Sequence, residues 1–567
     1  MKNITVLIFL SFYFTSTSQE KYPKDYFRSP LDIPIVLSGS FGELRSNHFH
    51  SGLDIKTQGK EGLPIYAVAD GYVSRIKVQQ FGYGKAIYIT HPNGFTSVYG
   101  HLQNYAEEFE TYVKAIQYKK EEYETGNLFF KEGEFPVQKG EIIAYSGDTG
   151  GSAGPHLHFE IRDTYSENVI NPLFFGYDVK DTLPPSIRGL KVYALQEDSR
   201  INQQRENFII PIKKKSNNNY VADRISANSL IGFGIDVYDQ FNGAYNKNGI
   251  YSLEMIVNGK RYYYHEVETF SFAESKFLNL HIDYEHYKKY KKRYQKTYKE
   301  AANNLSTYQE IIDNGKLNIM PNQNYLVQII VKDFAGNTSN LQIPIVGKEN
   351  NAIFSEQKDT TAYKIIKNKF YKFSLDKFSV AFPKHTFYKN IFLDLKYEDG
   401  IAKVHNEMVP IDKNFTLTFD VTDYSDTEKK QLYIANLEYP KYPRYQYTRK
   451  KDSIFFTTSK ILGNYTLLLD SIKPTISPLY WKNNQWISNF STLKVKIDDV
   501  GSGIKNYSAT IDDEWILMEY NHKKGVLTYN FNDKKLVGSK HIFKIVVSDN
   551  VGNTNELSAT FYKKQVN

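Results

Sequence analysis

The chain has 567 residues, no cysteine and a formal net charge of +8, from 71 Lys and Arg against 63 Asp and Glu. This length is too great for one hydrophobic core and predicts about three or four domains of ~100–200 residues each. The lack of cysteine excludes disulfides, a cysteine nucleophile and thiolate metal ligands, so any metal site must use nitrogen and oxygen donors. The charge suits anionic surroundings but forms no concentrated basic face, so we expect no nucleic-acid partner.

Residues 1–18 have the pattern of a secretory signal peptide. Lys2 precedes an apolar run at 4–14, and small polar residues follow it. The run is shorter than the roughly 20 residues that a membrane span needs, so an uncleaved anchor is the less favoured alternative. We therefore expect export across the inner membrane, a periplasmic or envelope-associated location, and no stable membrane span after cleavage.

Residues 25–178 are expected to form an antiparallel β-domain. Short runs such as "YAVADGYVSRIKV" and "EIIAYSGDTGG" alternate polar and apolar residues between glycine turns. One segment, at about 105–125, places apolar side chains at helical spacing among many charges. We predict an inserted amphipathic helix there, beside the β-core.

The rest of the chain contains an internal repeat. "DTLPPSI" (181–187) recurs as "DSIKPTI" (470–476), and "VKDFAGNTSNL" (331–341) recurs as "VSDNVGNTNEL" (547–557). Two Ig-like β-sandwich domains, 181–347 and 470–565, are the simplest explanation, with a further β-rich domain at 350–469. The longer first copy is predicted to hold a helical insertion at about 283–314, because tyrosines recur there every three or four residues.

The residues that could perform chemistry lie in three histidine clusters of the first β-domain: "HFHSGLD" (48–54), "VYGHL" (98–102) and "GDTGGSAGPHLHFE" (147–160). His156 and His158 are two apart, so a strand directs both to the same face. His50 and Asp54 share one face of an extended segment, and Gly52 between them permits a close approach. Two imidazoles and a carboxylate suit zinc with one position left open. A lone histidine in such a turn is usually only a polar surface residue, and it is the co-occurrence of the clusters that favours a metal site.

These motifs resemble those of the lysostaphin/LytM-type zinc metallopeptidases, which carry H-x-G-x-D, Tyr-x-His-Leu and G-x-T-G-x-S-x-G-P-H-L-H-F-E in this order. The resemblance covers about residues 25–175, and the multidomain build resembles secreted peptidases of the Bacteroidetes type. It implies a mainly β fold with a duplicated-hybrid-motif-like antiparallel sheet, one zinc ion per chain, and peptidoglycan as the partner. It also implies His50, Asp54 and His158 as zinc ligands, with His101 and His156 as catalytic, non-ligating histidines.

The expected function is that of an exported zinc endopeptidase that hydrolyses peptide bonds of peptidoglycan cross-links or stem peptides. Zinc-activated water would be assisted by His101 and His156, and the sequence leaves open which of the two is the base. One alternative is a non-catalytic wall-binding protein that activates another hydrolase, and another is a zinc peptidase acting on proteins. The bond that is cut and the oligomeric state are not predicted.

Four neighbouring residues have secondary roles in this interpretation. His48 is expected to support the ligands rather than bind metal, and Glu160 to orient a ligand or pair within the sheet. His91 precedes a hairpin signal and is expected to be a polar residue at a strand end. Tyr99 shares the parity of His101, which leaves open whether it contacts substrate or supports the imidazole.

Overall fold

The computed structural model describes residues 21–215, 217–349 and 360–564. The predicted signal peptide, residues 1–18, lies outside these described residues. Within them the chain is mainly β, as predicted, with additional β-sheets throughout its C-terminal part. No helix in the described part of the chain is long and apolar enough to cross a bilayer.

The N-terminal module, residues 21–178, is built on one twisted sheet. Its strands and helix are β1 (Leu37–Gly39), β2 (Leu53–Lys56), β3 (Pro64–Tyr66), β4 (Gly71–Val78), β5 (Lys85–Thr90), β6 (Phe95–Tyr105), α1 (Glu107–Lys120), β7 (Gly126–Phe129), β8 (Pro136–Val137), β9 (Ile142–Ser146), β10 (His156–Asp163) and β11 (Val169–Ile170). The main path runs β1-β2-β10-β6-β5-β4-β7, and β10 pairs antiparallel with both β2 and β6. Strand β10 lies in the interior of the sheet, so its histidines have neighbouring segments on both sides.

Helix α1 is the insertion that the apolar spacing predicts. Acidic residues occupy its first turn and lysines its last, which suits the helix dipole, and the chain leaves the helix at Glu121 in the left-handed conformation. Phe109 and Val113 are buried against the N-terminal core, whereas Tyr112 is exposed. The helix therefore packs beside the sheet.

The second module, residues 181–347, contains a larger sheet. Its elements are β12 (Ser186–Ala194), β13 (Arg200–Ile201), β14 (Phe208–Ile210), β15 (Ile212–Lys214), β16 (Asn219–Ala222), β17 (Ile225–Tyr238), β18 (Ser252–Val257), β19 (Lys260–Glu266), β20 (Thr269–Phe270), α2 (Leu278–His281), α3 (Tyr284–Tyr290), β21 (Tyr294–Lys296), β22 (Tyr308–Ile311), β23 (Leu317–Ile319), β24 (Asn324–Lys332) and β25 (Thr338–Gly347). Strand β20 leaves this sheet and pairs with β11 of the N-terminal module.

The long helical insertion predicted at about 283–314 is wrong beyond Tyr290. Helix α3 is capped by Asp283, whose side chain accepts a hydrogen bond from the His286 N–H, and it ends at Lys291 in the left-handed conformation. The next tyrosine, Tyr294, begins strand β21, which pairs with β17. The spacing of the tyrosines did not distinguish the short helix α3 from the buried strand β21, in which the same spacing continues.

The third module, residues 360–469, and the last module, residues 470–564, each contain paired sheets around one core. The third comprises β26 (Tyr363–Ile365), β27 (Tyr371–Leu375), β28 (Phe378–Phe382), β29 (Ile391–Leu393), β30 (Leu395–Glu398), β31 (Ile401–Val404), β32 (Phe415–Asp420), α4 (Asp426–Gln431), β33 (Leu432–Asn436), β34 (Arg444–Gln446), β35 (Arg449–Lys451), β36 (Ile454–Ser459) and β37 (Gly463–Leu469). The last comprises β38 (Thr475–Pro478), β39 (Gln485–Trp486), β40 (Thr492–Asp498), β41 (Ile504–Ile511), β42 (Glu514–Trp515), β43 (Glu519–Asn521), β44 (Val526–Asn530), β45 (Lys540–Asp549) and β46 (Thr554–Tyr562). The repeated "D-x-x-G-N" segments form the turns of two equivalent hairpins, β24–β25 and β45–β46.

The N-terminal core extends beyond the N-terminal module. Val267, Phe270, Leu278 and Ile282 of the second module belong to the same buried apolar cluster as Phe49. The backbone N–H of Phe49 also donates to the Ser275 hydroxyl at 2.8 Å. The second module therefore completes the core directly beneath the segment that carries His50.

Candidate metal centre

Three strands bring the predicted ligands together. In the β2–β10 pairing Asp54 lies directly opposite His158, and on its other side His158 faces Gly100 of β6. His50 precedes β2 in a short antiparallel bridge, where its N–H donates to the Glu43 carbonyl and its carbonyl accepts from the Gly42 N–H, both at 2.9 Å. Residues about a hundred positions apart in the sequence therefore share one site.

The side chains of His50, Asp54 and His158 converge on one point. His50 Nε2 and His158 Nδ1 each lie 3.0 Å from Asp54 Oδ1, and the two nitrogens are 3.1 Å apart. All three residues are buried, and one ligand atom from each lies within 4.8 Å of the others. Two imidazole nitrogens and one carboxylate oxygen are donors of the kind that catalytic zinc sites use.

The atoms of these side chains that face away from the cluster are held by other groups. His50 Nδ1 donates to the Ser40 carbonyl at 2.8 Å, and His158 Nε2 donates to Glu160 Oε1 at 2.8 Å. The second oxygen of Asp54 accepts from Arg45 at 2.8 Å. When neutral, each imidazole held in this way directs its lone pair into the cluster, which is the arrangement that supports metal-binding histidines.

The electrostatics of the cluster reflect its burial. Burial opposes ionisation of Asp54, but His50, His156 and His158 together hold the pKa of its carboxyl well below the usual range. Burial alone would lower the pKa of His158, whereas its hydrogen bonds to Asp54 and Glu160 raise the pKa to about 9. Without a metal, these carboxylates therefore favour a proton on His158, and a cation at the centre of the cluster would replace that charge.

Glu160 is the main support of His158. It is fully buried, and Arg162 contacts its second oxygen at 2.6 Å. Burial raises the pKa of Glu160, but the charges of Arg162 and His158 outweigh it and lower the pKa below the usual range. Glu160 thus stays ionised beside the imidazole, which matches the orienting role expected from the sequence.

The two remaining histidines lie beside the cluster. The His101 and His156 rings are 4.8 Å apart, and His101 is 5.8 Å from the His158 ring. His101 Nδ1 donates to the Thr149 carbonyl and His156 Nδ1 to the Gly154 carbonyl, both at 2.8 Å. His156 Nε2 is buried without a hydrogen-bond partner among the described residues and lies 3.4 Å from Asp54 Oδ1. Both rings therefore leave Nε2 as the atom that can accept a proton.

His101 is held in an uncommon backbone conformation. Its φ is 61°, in the left-handed region, and the β5–β6 pairing shifts register between Ile87 and Lys85, where β6 has one extra residue. Burial, together with His158 and His156, lowers the pKa of His101 to about 3, so its imidazole is neutral at physiological pH. Such strain is typical of functional sites, where the surrounding structure enforces it.

This extra residue explains why the prediction for Tyr99 is wrong. Period-two alternation placed Tyr99 on the face of His101, but the bulge at Gly100 and His101 interrupts the alternation. The Tyr99 side chain is fully buried, and its hydroxyl oxygen accepts from the Val68 N–H and the Ser97 hydroxyl, both at 3.1 Å. It contacts neither an open face nor an imidazole of the cluster.

His48, His91 and Gly52 are three further residues whose positions the sequence addresses. His48 is exposed and outside the ligand cluster, and its carbonyl accepts from the Arg45 N–H at 3.0 Å. His91 is buried at a strand end, bonded to the Asp70 carbonyl at 2.9 Å and to the Ser97 hydroxyl at 2.8 Å. At Gly52, the close approach is made by strand β10 itself, because an added Cβ would lie 2.2 Å from the Phe159 carbonyl oxygen.

The sequence did not identify two supporting residues, Arg45 and Tyr83. The Tyr83 ring stacks on His158 at 5.1 Å, and its hydroxyl donates to Glu160 Oε1 at 2.5 Å. Arg45 bridges Asp54 and Glu43. Neither residue lies within a histidine cluster, and the only signal for Tyr83 is its position between two glycines, Gly82 and Gly84, whose turn contacts the 149–150 loop.

Two parts of the chain match known protein families. Residues 48–118 and 124–172 match the model of peptidase family M23, and residues 362–470 match that of a Zu5-like domain. The N-terminal module is therefore a LytM-type domain of peptidase family M23.

Curated relatives share this module. The DD-carboxypeptidase/endopeptidase Mpg of Neisseria meningitidis is 33% identical over 130 residues, which is 23% of this chain and 23% of that protein. The peptidoglycan DD-endopeptidase ShyC of Vibrio cholerae is 32% identical over 143 residues, 24% of this chain and 27% of that protein. The chain thus spans about a quarter of the length of these relatives. The catalytic domain of lysostaphin from Staphylococcus simulans aligns with 25% of this chain and 93% of its own length, at 23% identity and a TM-score of 0.19.

Proposed function

We propose that the protein is an exported, zinc-dependent endopeptidase that cleaves peptide bonds in the cross-links or stem peptides of peptidoglycan. The observation that carries this proposal is the convergence of His50 Nε2, His158 Nδ1 and Asp54 Oδ1 in a LytM-type domain. The names of its relatives support the substrate class, since one is a peptidoglycan DD-endopeptidase. We also propose one zinc ion per chain and a periplasmic or envelope location.

The residues of the site fit zinc. The metal would be held by His50, Asp54 and His158, because each offers one donor atom to the cluster while its other polar atom is already bound. The fourth position would remain for water or substrate. When bound there, zinc supplies a Lewis acid that polarises the scissile carbonyl and lowers the pKa of water.

His101 and His156 are suited to proton transfer beside that position. Each ring is fixed through Nδ1 by a backbone carbonyl, so Nε2 of one can take a proton from water while the other stabilises the oxyanion or donates to the leaving amine. Removing such a group typically costs about 10²–10⁴-fold in rate.

There are two alternative functions. The protein could be a non-catalytic activator of another hydrolase, or a zinc peptidase that acts on proteins. The ligand set and both histidines are present and mutually oriented, which favours an enzyme over an activator. The two enzyme functions differ only in substrate, so the products must be identified. For the other modules we propose the division expected from sequence, with Ig-like domains at 181–347 and 470–565 and a β-rich domain at 350–469.

The test is to incubate the mature protein with purified sacculi, with and without a zinc chelator, and to identify the new amine and carboxyl ends. We expect release that is lost with chelator and in His158→Ala, with bound zinc also lost in that variant. His101→Ala should keep zinc but lose about 10²–10⁴-fold in rate. The exposed His48 provides the matched control, since His48→Ala should cleave as the unmodified protein does.

Release that persists in chelator, or in His158→Ala, would overturn zinc catalysis. Absence of release from sacculi, together with stimulation of a separate amidase or glycosidase, would favour the activator. Cleavage of an unrelated protein at a rate comparable to that of sacculi would favour the general peptidase.

A further inference from the structure

Three aspartates converge at one end of the second module, far from the histidine cluster in the sequence. Asp181 lies in the linker before β12, Asp239 follows β17, and Asp333 follows β24. One carboxylate oxygen from each lies within 4.8 Å of the others. None of the three forms a salt bridge within the part of the chain that the structure describes.

Asp239 is the residue that this arrangement leaves unexplained. It is only 1% exposed, and neither of its carboxylate oxygens has a hydrogen-bond partner among the described residues. Asn248, 3% exposed, faces it across an isolated bridge, and the Asn248 side-chain oxygen also lacks a partner among these residues. Burying oxygens without donors is costly unless something compensates them, and the oxygens of an amide or an ionised carboxylate can only accept.

Turn formation accounts for part of the cluster only. Asp333 accepts from the Asn337 N–H and from the Asn337 side-chain amide, both at 2.8 Å. Asp181 Oδ1 accepts from the Leu183 N–H at 3.1 Å, but its Oδ2 is buried without a partner among the described residues. Burial and the charges of these two neighbours raise the pKa of Asp239 to about 8. Local turns therefore explain Asp333 but not why three carboxylates are buried together.

The same arrangement recurs in the other copy of the repeat. Asp470, Asp499 and Asp549 occupy the equivalent positions of the last module, and their carboxylate oxygens also lie within 4.8 Å of one another. Asn553 corresponds to Asn337. Each asparagine amide donates to the third aspartate of its trio, at 2.7 and 2.8 Å, and to the carbonyl of the first, at 2.9 and 3.3 Å. In the last module, backbone N–H groups satisfy more of the carboxylate oxygens.

We propose that Asp181, Asp239 and Asp333 bind a calcium ion that joins the linker after the LytM-type domain to the end of the second module. The donors are oxygens only, which excludes soft metals, and calcium accepts irregular sets of carboxylate, amide and carbonyl oxygens. The proposed fourth ligand is Asn248, whose side-chain oxygen is buried without a partner among the described residues. The ion would tie Asp181 of the linker to two strand ends, and so fix the orientation of the second module relative to the N-terminal module.

The test uses the zinc-loaded mature protein in calcium-depleted buffer. Calcium is titrated by calorimetry, and bound metals are counted by mass spectrometry after gel filtration. We expect Asp239→Asn to lose one equivalent of bound calcium while its zinc content is unchanged. Asp25, which is exposed in the N-terminal module, provides the matched control, and Asp25→Asn should bind calcium as the unmodified protein does.

A second readout separates metal binding from folding. In calcium-free buffer Asp239→Asn should unfold at the same temperature as the unmodified protein or above it, because the amide cannot ionise beside Asp181 and Asp333. With calcium, the unmodified protein should gain thermal stability, and Asp239→Asn should gain less. Calcium binding that Asp239→Asn leaves unchanged, or no binding at millimolar calcium, would overturn the proposal.

Discussion

At the scale of single residues, the position of His158 depends on Glu160. The carboxylate accepts from His158 Nε2 and is itself held by Arg162, Tyr83 and the Ser51 hydroxyl. Four groups thus fix the two carboxylate oxygens of Glu160 behind the His50–Asp54–His158 cluster. A charge held in this way both orients the imidazole and strengthens it as a ligand.

Glu160→Gln should therefore weaken zinc binding by roughly 10–100-fold, since the amide keeps the shape but loses the charge. Competition with a fluorescent chelator measures the affinity. Glu61, an exposed residue of the same module, provides the control, and Glu61→Gln should bind zinc normally. An unchanged affinity in Glu160→Gln would mean that the imidazole needs only packing to stay in place.

His91 provides a separate prediction about acid stability. Burial lowers its pKa to about 4 from an ordinary 6.5, so the folded protein binds its proton less readily than the unfolded chain does. The contribution of His91 to the free energy of unfolding is fully present above pH 6.5. It is lost as the pH falls through 6.5 toward 4. At pH 5 the loss amounts to about 2 kcal/mol, because each pH unit is worth ~1.4 kcal/mol.

Hydrogen exchange of β5 and β6 at pH 7 and pH 5 tests this contribution. After correction for intrinsic rates, the loss of protection between these values should be about 2 kcal/mol larger in the unmodified protein than in His91→Gln. His91→Gln, which cannot gain the proton, should lose less over the same interval. Equal losses in both proteins would assign the pH dependence to other groups.

The histidines also show how far sequence reasoning could identify the site. His50, Asp54 and His158 were predictable because their motifs resemble those of LytM-type peptidases in order and spacing, and the structure brings their ligand atoms together. Tyr83 and Arg45 were not, because their contacts depend on how β10 and the 149–150 loop pack. No local period in the sequence encodes such contacts between distant segments.

At the scale of elements, alternation predicted the β-class and apolar spacing predicted helix α1. The same two rules failed elsewhere, where one extra residue or a left-handed residue changed the period. The bulge in β6 turned Tyr99 into the core, and the left-handed residue Lys291 ended α3 before Tyr294. The strained His101 lies at that same bulge, so the element that broke the alternation also positions a proposed catalytic histidine.

At the scale of the whole molecule, later modules contact the LytM-type domain and support its loops and core. Lys523 of the last module lies 2.8 Å from Asp148 and donates to the Ser152 carbonyl at 3.1 Å, in the loop whose Thr149 carbonyl holds His101. A second contact joins Lys85, fully buried, to Glu519 at 2.8 Å. The loop beside the histidines is thus supported from a module more than 300 residues away in the sequence.

The second module contributes most directly, so a chain cut after Asp178 should not fold as the intact protein does. The cut removes Val267, Phe270, Leu278 and Ile282 from the core that contains Phe49, along with the Ser275 hydroxyl that holds the Phe49 N–H. Each lost apolar side chain is worth about 1.5–3 kcal/mol, against a typical domain stability of about 5–15 kcal/mol. Because Phe49 adjoins His50, zinc binding should be lost together with folding.

Chains ending at 178 and at 349 should therefore differ sharply. We expect the longer chain to stay soluble and to bind zinc stoichiometrically, and the shorter one to aggregate or to bind zinc weakly. Gel filtration with metal analysis measures both properties. A soluble, stoichiometrically zinc-loaded chain ending at 178 would mean that the second module only covers a core that is already stable. If the shorter chain fails as expected, the LytM-type domain and the second module form one cooperative unit, because residues on both sides of the linker build the apolar support beneath His50.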